Sequence, residues 1–333
     1  MSTEQTYRAV KAGVGTIDRS DRVRLEVTGP DRAKFLHNLT TNEVKRLGPG
    51  QGCEAFVTSL QGKTLGFVTL LVLEECVLVR ADPASLDGLL AHFRKYGALD
   101  DVAWTDVSEQ TFELHFTGPR LPELTSAMGI ATPGEADLCH GVFDLSGQQV
   151  RAVREGPAGL PGLTLIGRVA ALGAVQEAIR AAGPIGLTTI DSATFEALRI
   201  EAGTPVFGRD ITPENLPQEV GRDARAINFV KGCYLGQETV ARIDALGHVN
   251  KILKGGQVEE ENVPPPQPGT ALEMSGKPAG TITSSALSPG RGRPVVLAMV
   301  RLAHAQSGTT LEFENTSGRH SLIVTDLPMP EPE

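Results

Sequence analysis

The segment with the most reactive side chains lies about two thirds of the way along the chain. It reads Lys-Gly-Cys-Tyr-Leu-Gly-Gln-Glu-Thr-Val-Ala-Arg over residues 231–242. The charge of Lys231, together with Arg242 if the chain folds back, favours the thiolate of Cys233 and lowers its pKa. A helix beginning at 236–238 would turn its amide groups toward the same spot. The thiol is therefore an exposed nucleophile or metal ligand, or else a small buried hydrophobic group, which is the commoner role and is slightly favoured.

A second candidate is the carboxylate of Glu201, in the run Leu-Arg-Ile-Glu-Ala-Gly at 198–203. Here a predicted helix meets a glycine turn. A carboxylate in such a place can accept two parallel hydrogen bonds from the flat N–H edge of a pterin or a guanine. The alternative is a solvated glutamate at a helix end, which is commoner for any single Glu.

The segment 222–254 is locally basic, with six Lys and Arg against three Asp and Glu. Such a segment could attract a polyanion, for example a polyglutamyl tail or RNA. A solvated surface with scattered charges is the favoured interpretation, because six bases in this length are not dense.

The elements that must position these residues follow from the spacing of apolar side chains. Helices are predicted at 31–41, 83–96, 169–182 and 190–201. Strands are predicted before 170 at 23–27, 56–60, 64–73, 77–80, 102–106, 112–116, 149–154 and 163–168. Five short strands near the C-terminus predict a small barrel or sandwich, at 272–274, 279–287, 295–302, 310–313 and 321–324. The proline-rich run 263–269 is predicted to be a linker.

Length and composition limit the class of protein. At 333 residues the chain is long enough for two or three domains, and 40% apolar residues exclude a disordered chain. The net charge of −9 makes nucleic acid an unexpected partner. Four cysteines without a Cys-x-x-Cys pair predict neither a disulfide scaffold nor a local metal motif. No signal segment is visible, and the longest apolar run, 65–73, is about half of what a membrane helix needs. A cytoplasmic protein with reduced thiols and no membrane partner is expected.

Several motifs resemble those of a known family. The pattern Lys-Gly-Cys-Tyr-x-Gly-Gln-Glu-x-x-x-Arg is similar to the signature of the YgfZ-like folate-binding proteins, which include mitochondrial assembly factors for iron–sulfur proteins. The wider resemblance is to the glycine-cleavage T-protein superfamily, and it extends over nearly the whole chain. The segments that carry it are 25–36, 47–51, 198–203 and 298–311.

The resemblance implies an α+β fold with a T-protein-like three-domain arrangement around a central channel and a small C-terminal β-barrel. It places a bipartite folate-binding region of two intertwined α+β domains at 1–245 and the barrel domain at 246–325, with a disordered tail at 326–333. The implied cofactor is tetrahydrofolate or a one-carbon derivative, held beside Cys233. By the same resemblance Cys233 and Lys231 are the catalytic residues, no metal ligands are expected, and the folate-binding residues are Glu201, Arg242, Gln237 and Tyr234.

Two departures separate the chain from the aminomethyltransferases of the superfamily. The acid-base Asp of that reaction falls near Phe67, and Phe cannot move a proton. The acidic segment of those enzymes corresponds to 156–163, which lacks its acids. The resemblance therefore implies a folate-binding accessory factor in the assembly or repair of iron–sulfur proteins, with client or scaffold proteins as partners. A single Cys cannot hold a four-iron cluster alone, so any cluster must be shared. The alternatives are a tetrahydrofolate-dependent aminomethyl- or methyltransferase with another acid and a folate-responsive regulator of RNA-modifying enzymes.

Overall fold

The computed structural model describes residues 1–183, 186–247, 249–316 and 318–331. Its strands, in chain order, are β1 (Val14–Asp18), β2 (Val23–Thr28), β3 (Gly52–Thr58), β4 (Thr64–Val72), β5 (Val77–Ala81), β6 (Ala103–Asp106), β7 (Thr111–Thr117), β8 (His140–Leu145), β9 (Gln148–Arg154), β10 (Gly162–Arg168), β11 (Leu187–Thr189), β12 (Lys251–Val258), β13 (Ala271–Met274), β14 (Lys277–Ser288), β15 (Arg293–Arg301), β16 (Thr310–Asn315) and β17 (Gly318–Thr325).

The helices surround these strands. The α-helices are α1 (Thr3–Ala12), α2 (Arg32–Leu39), α3 (Leu86–Tyr96), α4 (Leu121–Ala127), α5 (Leu172–Ala181), α6 (Ser192–Glu201), α7 (Asp223–Ala226) and α8 (Gln237–Leu246). Short 3₁₀ turns lie at Pro83–Ser85, Ser108–Gln110, Val169–Ala171, Pro217–Val220 and Leu302–His304.

The first sheet is antiparallel, with the strand order β3-β4-β5-β2-β6. Its strands come from one continuous stretch of chain. Helices α2 and α3 cover one face, where Phe35 and Phe93 meet edge to face with ring centroids 5.4 Å apart. The apolar residues that alternate along β2, and fill β4 and β5, bury themselves against these two helices, so the pattern of the sequence and the core agree.

The second sheet has the order β11-β1-β7-β10-β9-β8 and is not continuous in sequence. Its strand β1 precedes the whole first sheet, and its other strands follow it. Strand β1 pairs in parallel with β11, Val14 opposite Leu187, and antiparallel with β7, Gly15 opposite Thr117. The two α+β units are therefore intertwined, and β1 joins the start of the chain to the segment that leads into α6.

The C-terminal unit is a closed barrel with the order β12-β15-β14-β13-β16-β17. It has one strand more than the sequence predicts, because two consecutive glycines in β12 hide the apolar alternation. The proline-rich run 263–269 is not a linker between domains. It connects β12 with β13 inside the barrel, Val263 belongs to the barrel core, and the amide of Gly269 donates to the carbonyl of Ile282.

The segment 326–331 lies within the predicted disordered tail, and the structure packs Met329 of this segment against the end of α6. Met329 is 7% exposed, and its amide donates to the carbonyl of Glu201. The apolar Leu and Met in this proline-rich segment give it a reason to pack, which its Pro and Glu content conceals. Across the part of the chain that the structure describes, no helix has the length and apolarity to cross a membrane.

Candidate functional site

A cavity of about 540 Å³ lies where the two sheets, α6 and the segment 204–225 meet. The turn between β1 and β2 forms one side of it, and β3 and β4 contribute another. None of the six predicted site residues, all of which the structure describes, lines this cavity. The sequence therefore identifies the fold that makes the cavity, but not the side chains in its wall.

Helix α6 turns one face to the cavity. Asp191 caps the helix, since its carboxylate accepts from the amide of Thr194 at 2.8 Å. The side chains that line the cavity follow the helical spacing i, i+3, i+4, i+7 and are Ser192, Phe195, Glu196 and Arg199. The carboxylate on this face is therefore that of Glu196.

Glu201 lies on another side of the same helix. It is five residues beyond Glu196, which at 3.6 residues per turn places it about 140° further around the axis. Its carboxylate accepts from the hydroxyl of Tyr7 at 2.8 Å and from that of Ser288 at 2.5 Å. Burial and this carboxylate raise the pKa of Tyr7. Glu201 thus joins α6 to α1 and to the barrel, away from the cavity.

Most charged groups in the cavity wall are paired. Arg199 Nε donates to Glu196 at 2.9 Å, and Arg199 Nη1 donates to the buried Asp210 at the same distance. Arg209 Nη1 also donates to Glu196, at 3.1 Å. These contacts hold the pKa of the Glu196 carboxyl below its ordinary value, although burial acts in the opposite direction. Glu196 is consequently a fixed, ionised acceptor.

The sequence resemblance places the catalytic acid of the aminomethyltransferases at Phe67, and in this chain Phe67 is part of an aromatic wall. Phe67, on β4, lines the cavity and packs against Phe56 with ring centroids 5.1 Å apart. The Arg222 guanidinium lies 5.7 Å from the Phe67 ring and donates to Glu54 at 2.6 and 2.9 Å. This wall can stack on a flat ring or on a cation, but it offers no proton to transfer.

A buried ion cluster joins the two sheets behind the cavity. Arg80 on β5 donates two hydrogen bonds of 2.9 Å to Glu113 on β7 and reaches Glu155 at 2.7 and 3.0 Å. The Arg80 and Glu113 side chains are wholly buried. Burial alone would raise the pKa of both carboxyls, but the Arg80 guanidinium brings the pKa of each below its ordinary value. Because Glu155 also lines the cavity, this cluster fixes the cavity wall to the sheet interface.

Lys231 anchors the cysteine loop to the end of α2. Its Nζ donates to the carbonyl oxygens of His37, Thr40 and Asn42 at 2.6, 2.6 and 2.7 Å. Burial lowers the pKa of Lys231 to about 7, whereas the three acceptors favour the ammonium. None of its hydrogen bonds goes to Cys233, so its position is that of a structural anchor and not that of a partner for the thiol.

Cys233 is exposed, as the alternative of an accessible thiol predicts and the alternative of a small buried hydrophobic group does not. The loop that carries it is fixed on both sides. The amide of Leu235 donates to the carbonyl of Asn38 at 2.8 Å, and the hydroxyl of Thr58 donates to the carbonyl of Leu235 at 2.6 Å. Gly236 has a φ of 84° and approaches Ser59 so closely that a Cβ would overlap its carbonyl oxygen. The thiol therefore lies on a rigid surface loop outside the cavity.

The other predicted residues of the motif are spread over this loop and the helix after it. Tyr234 is 9% exposed and packs in the core shared with Phe56, and burial raises its pKa. Gln237 begins α8, and Arg242 is exposed on the same helix. In the described residues no group of three or more His, Cys, Asp or Glu side chains is arranged to hold a metal ion.

Two known family models match the chain, one over its N-terminal part and one over the barrel. The model of the GCVT N-terminal domain matches residues 1–231, and the glycine cleavage T-protein C-terminal barrel domain matches residues 253–329. The chain belongs to the glycine-cleavage T-protein family. The predicted fold is confirmed: it is the T-protein fold, of mixed helices and strands with a six-stranded C-terminal barrel.

Several named proteins resemble the chain over nearly its full length. It is 26% identical to a chloroplastic Arabidopsis thaliana protein named as a transferase, over 98% of this chain and 73% of the relative. It is 28% identical to an aminomethyltransferase of Rubrobacter xylanophilus, over 97% of this chain and 82% of the relative. The glycine cleavage system aminomethyltransferase T from Bartonella henselae has the same fold, with a TM-score of 0.87 and 20% identity over 99% of this chain and 90% of that one.

Sequence reasoning missed the residues that line the T-protein cavity, although one signal for them was present. The spacing of Ser192, Phe195, Glu196 and Arg199 in a helix that ends near the family segment 198–203 marks a polar face. The turn 18–22 carried no such signal, because its side chains reach the cavity only through the pairing of β1 with β7.

Proposed function

We propose that this protein binds a reduced folate in the cavity and acts, without aminomethyl transfer, as an accessory factor in the assembly or repair of iron–sulfur proteins. The observation that carries the proposal is Phe67 in the cavity wall, at the place where the sequence resemblance expects a proton-transferring Asp. The cavity is lined by charged groups and has room for a small molecule, so it can bind a folate, while the position expected to carry the acid-base group has none.

The cavity suits a tetrahydrofolate in size and lining. Its volume of about 540 Å³ falls within the roughly 300–1,000 Å³ of small-molecule sites. Phe67 and Phe195 offer flat apolar faces, and the ionised Glu196, whose two oxygens already accept from Arg199 and Arg209, adds a fixed negative charge that attracts the N–H edge of a pterin. These features support tetrahydrofolate or a one-carbon derivative as the cofactor.

The exposed thiol supports a role toward another protein. Cys233 lies on a rigid loop outside the cavity, beside the exposed Phe229 and Val230. A thiol in that position meets a macromolecular partner more readily than a molecule inside the cavity. Since one Cys supplies a single cluster ligand, an iron–sulfur cluster carried here is shared with a client or scaffold protein.

Two carboxylates of α6 provide a matched test of folate binding. We expect Glu196→Gln to weaken the binding of 5-formyltetrahydrofolate about 10- to 150-fold, because it removes the negative charge that faces the N–H edge of the pterin. Glu201→Gln on the same helix should leave the affinity within about twofold, since Glu201 contacts Tyr7 and Ser288 instead of the cavity. Isothermal titration calorimetry measures both. A loss of affinity in Glu201→Gln alone would restore the assignment made from sequence and reject ours.

Complementation tests the role of the thiol. In a strain lacking the gene, we expect the wild-type protein to restore several iron–sulfur enzyme activities and Cys233→Ser to restore less than about a tenth of them. Cys139→Ser is the matched control, because it removes another incompletely buried thiol of the same chain. Full rescue by Cys233→Ser, or a deletion phenotype confined to glycine-cleavage flux, would contradict the proposal.

A further inference from the structure

Six arginines line the cavity, and they fall into two groups. Four are neutralised by carboxylates: Arg199 and Arg209 by Glu196, and Arg222 and Arg225 by Glu54. The other two, Arg19 and Arg22, belong to the turn between β1 and β2. Neither side chain donates a hydrogen bond to any residue that the structure describes.

Arg22 is nearly buried, and its guanidinium has no hydrogen-bond acceptor among the described residues. Its side chain is 11% exposed, and its Nε is buried with no hydrogen-bond partner among the described residues. The nearest carboxylate oxygen, on Glu113, is 4.0 Å from Nη1, and Glu113 is already held by two hydrogen bonds from Arg80. A guanidinium removed from water to this degree is normally paired, so Arg22 lacks an acceptor that a ligand can supply.

Arg19 lies beside it and is oriented by an aromatic ring. Its guanidinium is 5.0 Å from the centroid of Phe195, and no carboxylate of a described residue lies within ion-pair distance. Burial and the charge of Arg22 lower the pKa of Arg19 to about 10, although Glu113, Glu155 and Asp82 act in the opposite direction. Stacking on the ring leaves the N–H groups in the guanidinium plane available for a bidentate acceptor.

The turn that carries both arginines is rigid. The amide of Arg19 donates to the carbonyl of Glu113 at 2.8 Å, and the amide of Arg22 donates to the carbonyl of Arg19 at 3.1 Å. The hydroxyl of Ser20, between them, accepts from the amide of Glu113 at 3.0 Å. The two guanidiniums are therefore held in the cavity wall before a ligand arrives, which reduces the entropy lost on binding.

We propose that Arg19 and Arg22 form an anion subsite that binds the carboxylates of the glutamyl tail of the folate. This assignment rests on the proposed folate function. It adds which part of the folate molecule binds at this end of the cavity. Bidentate pairing with carboxylates is the geometry that guanidiniums favour. The locally basic segment 222–254 is a weaker candidate for the tail site, because its Arg222, Lys251 and Lys254 already have carboxylate partners and its exposed Arg242 does not line the cavity.

The test compares 5-formyltetrahydrofolate with its diamide, in which both glutamyl carboxylates are primary amides. Wild-type protein should bind the acid about 10- to 150-fold more tightly than the diamide. Arg19→Gln and Arg22→Gln should each reduce that ratio to less than about threefold, through loss of affinity for the acid and not through a gain for the diamide. Titration calorimetry gives the affinities. The matched control is Arg120→Gln, which removes an exposed arginine just after the end of β7 that lies away from the turn, and it should leave the ratio unchanged.

Each result has a distinct meaning. If the wild-type protein binds acid and diamide equally, or if the variants lose affinity for both to the same extent, the subsite is rejected while folate binding stands. If the wild-type protein binds neither molecule, the proposed function itself is rejected, and the tail assignment with it. Thermal unfolding of each variant separates lost binding from lost folding. Arg19→Gln is the stricter variant for this purpose, because Arg19 forms no ion pair with a residue that the structure describes.

Discussion

Purified protein supplied with tetrahydrofolate and an aminomethyl-loaded carrier protein should release ammonia at least about 10²-fold more slowly than an aminomethyltransferase of the same family. A positioned acid or base contributes roughly 10²–10⁴-fold to such a reaction, and the expected position of that group is taken by Phe67. Its ring closes the cavity wall against Phe56 and the Arg222 guanidinium, so no other group of β4 takes its place there. Folate affinity should persist, because the remaining wall is intact. Single-turnover ammonia release, with calorimetry on the same preparation, measures both quantities.

The variant Phe67→Asp examines whether the acid alone is missing. If it produces measurable ammonia release, the cavity still orients the reactants. If it does not, the segment 156–163, which includes the cavity residues Gly156 and Pro157 and lacks acids, accounts for the remaining loss. Release by the wild-type protein at the rate of a true aminomethyltransferase would overturn the proposed function in favour of the transferase that several relatives are named for.

The largest effect on stability should come from Glu113→Gln. Removing one partner of a buried ion pair leaves the other charge uncompensated, which costs about 3–5 kcal/mol of the free energy of unfolding. Arg80 would keep only Glu155 as its carboxylate partner, at the interface between the two sheets. Urea denaturation measures the loss. The matched control is Glu123→Gln, which breaks an exposed pair with Arg120 and should cost less than about 1 kcal/mol.

The difference in unfolding free energy between the wild-type protein and Glu113→Gln should depend on pH. The pKa of Glu113 is below its ordinary 4.5 in the folded protein, so its contribution is complete above that value and is lost as the pH falls below it. The gap in unfolding free energy between wild type and Glu113→Gln should thus be wider at pH 7 than at pH 3.5. An equal gap at both pH values, or a gap below about 1 kcal/mol at pH 7, would show that the cluster does not stabilise the sheet interface.

The sequence predicts much of the fold for reasons that are local. Strands such as β2, β7 and β14 alternate in polarity, and the segment 198–203 carries a family pattern. What the sequence conceals depends on partners far along the chain. Strand β1 is short and half polar, and it becomes a strand only by pairing with β7 and β11. Strand β12 is broken by glycines but is completed by β15 and β17.

The candidate site shows more clearly that local sequence patterns do not predict contacts between distant residues. Glu201 belongs to the family pattern at 198–203, but helical geometry directs its side chain to Tyr7. Glu196 of the same helix faces the cavity instead. Lys231 is two residues from Cys233 in sequence, yet its ammonium bonds to carbonyls about 190 residues earlier. Spacing along the chain indicates which residues are neighbours, whereas the direction of each side chain follows from packing that only the folded protein defines.

The position of β1 in the second sheet has a consequence for synthesis on the ribosome. Val14 pairs with Leu187, so the strand must wait until 187 − 14 = 173 further residues have been made. At roughly 5–20 residues per second that delay lasts on the order of 10 to 35 seconds. The first sheet, built from one continuous stretch, can form during this interval, while β1 keeps both of its edges open until β7 has emerged and one edge open until β11 has emerged. A nascent protein of this design is therefore most exposed to aggregation early, and a ribosome that stalls before β11 releases a chain whose first strand still has one unpaired edge.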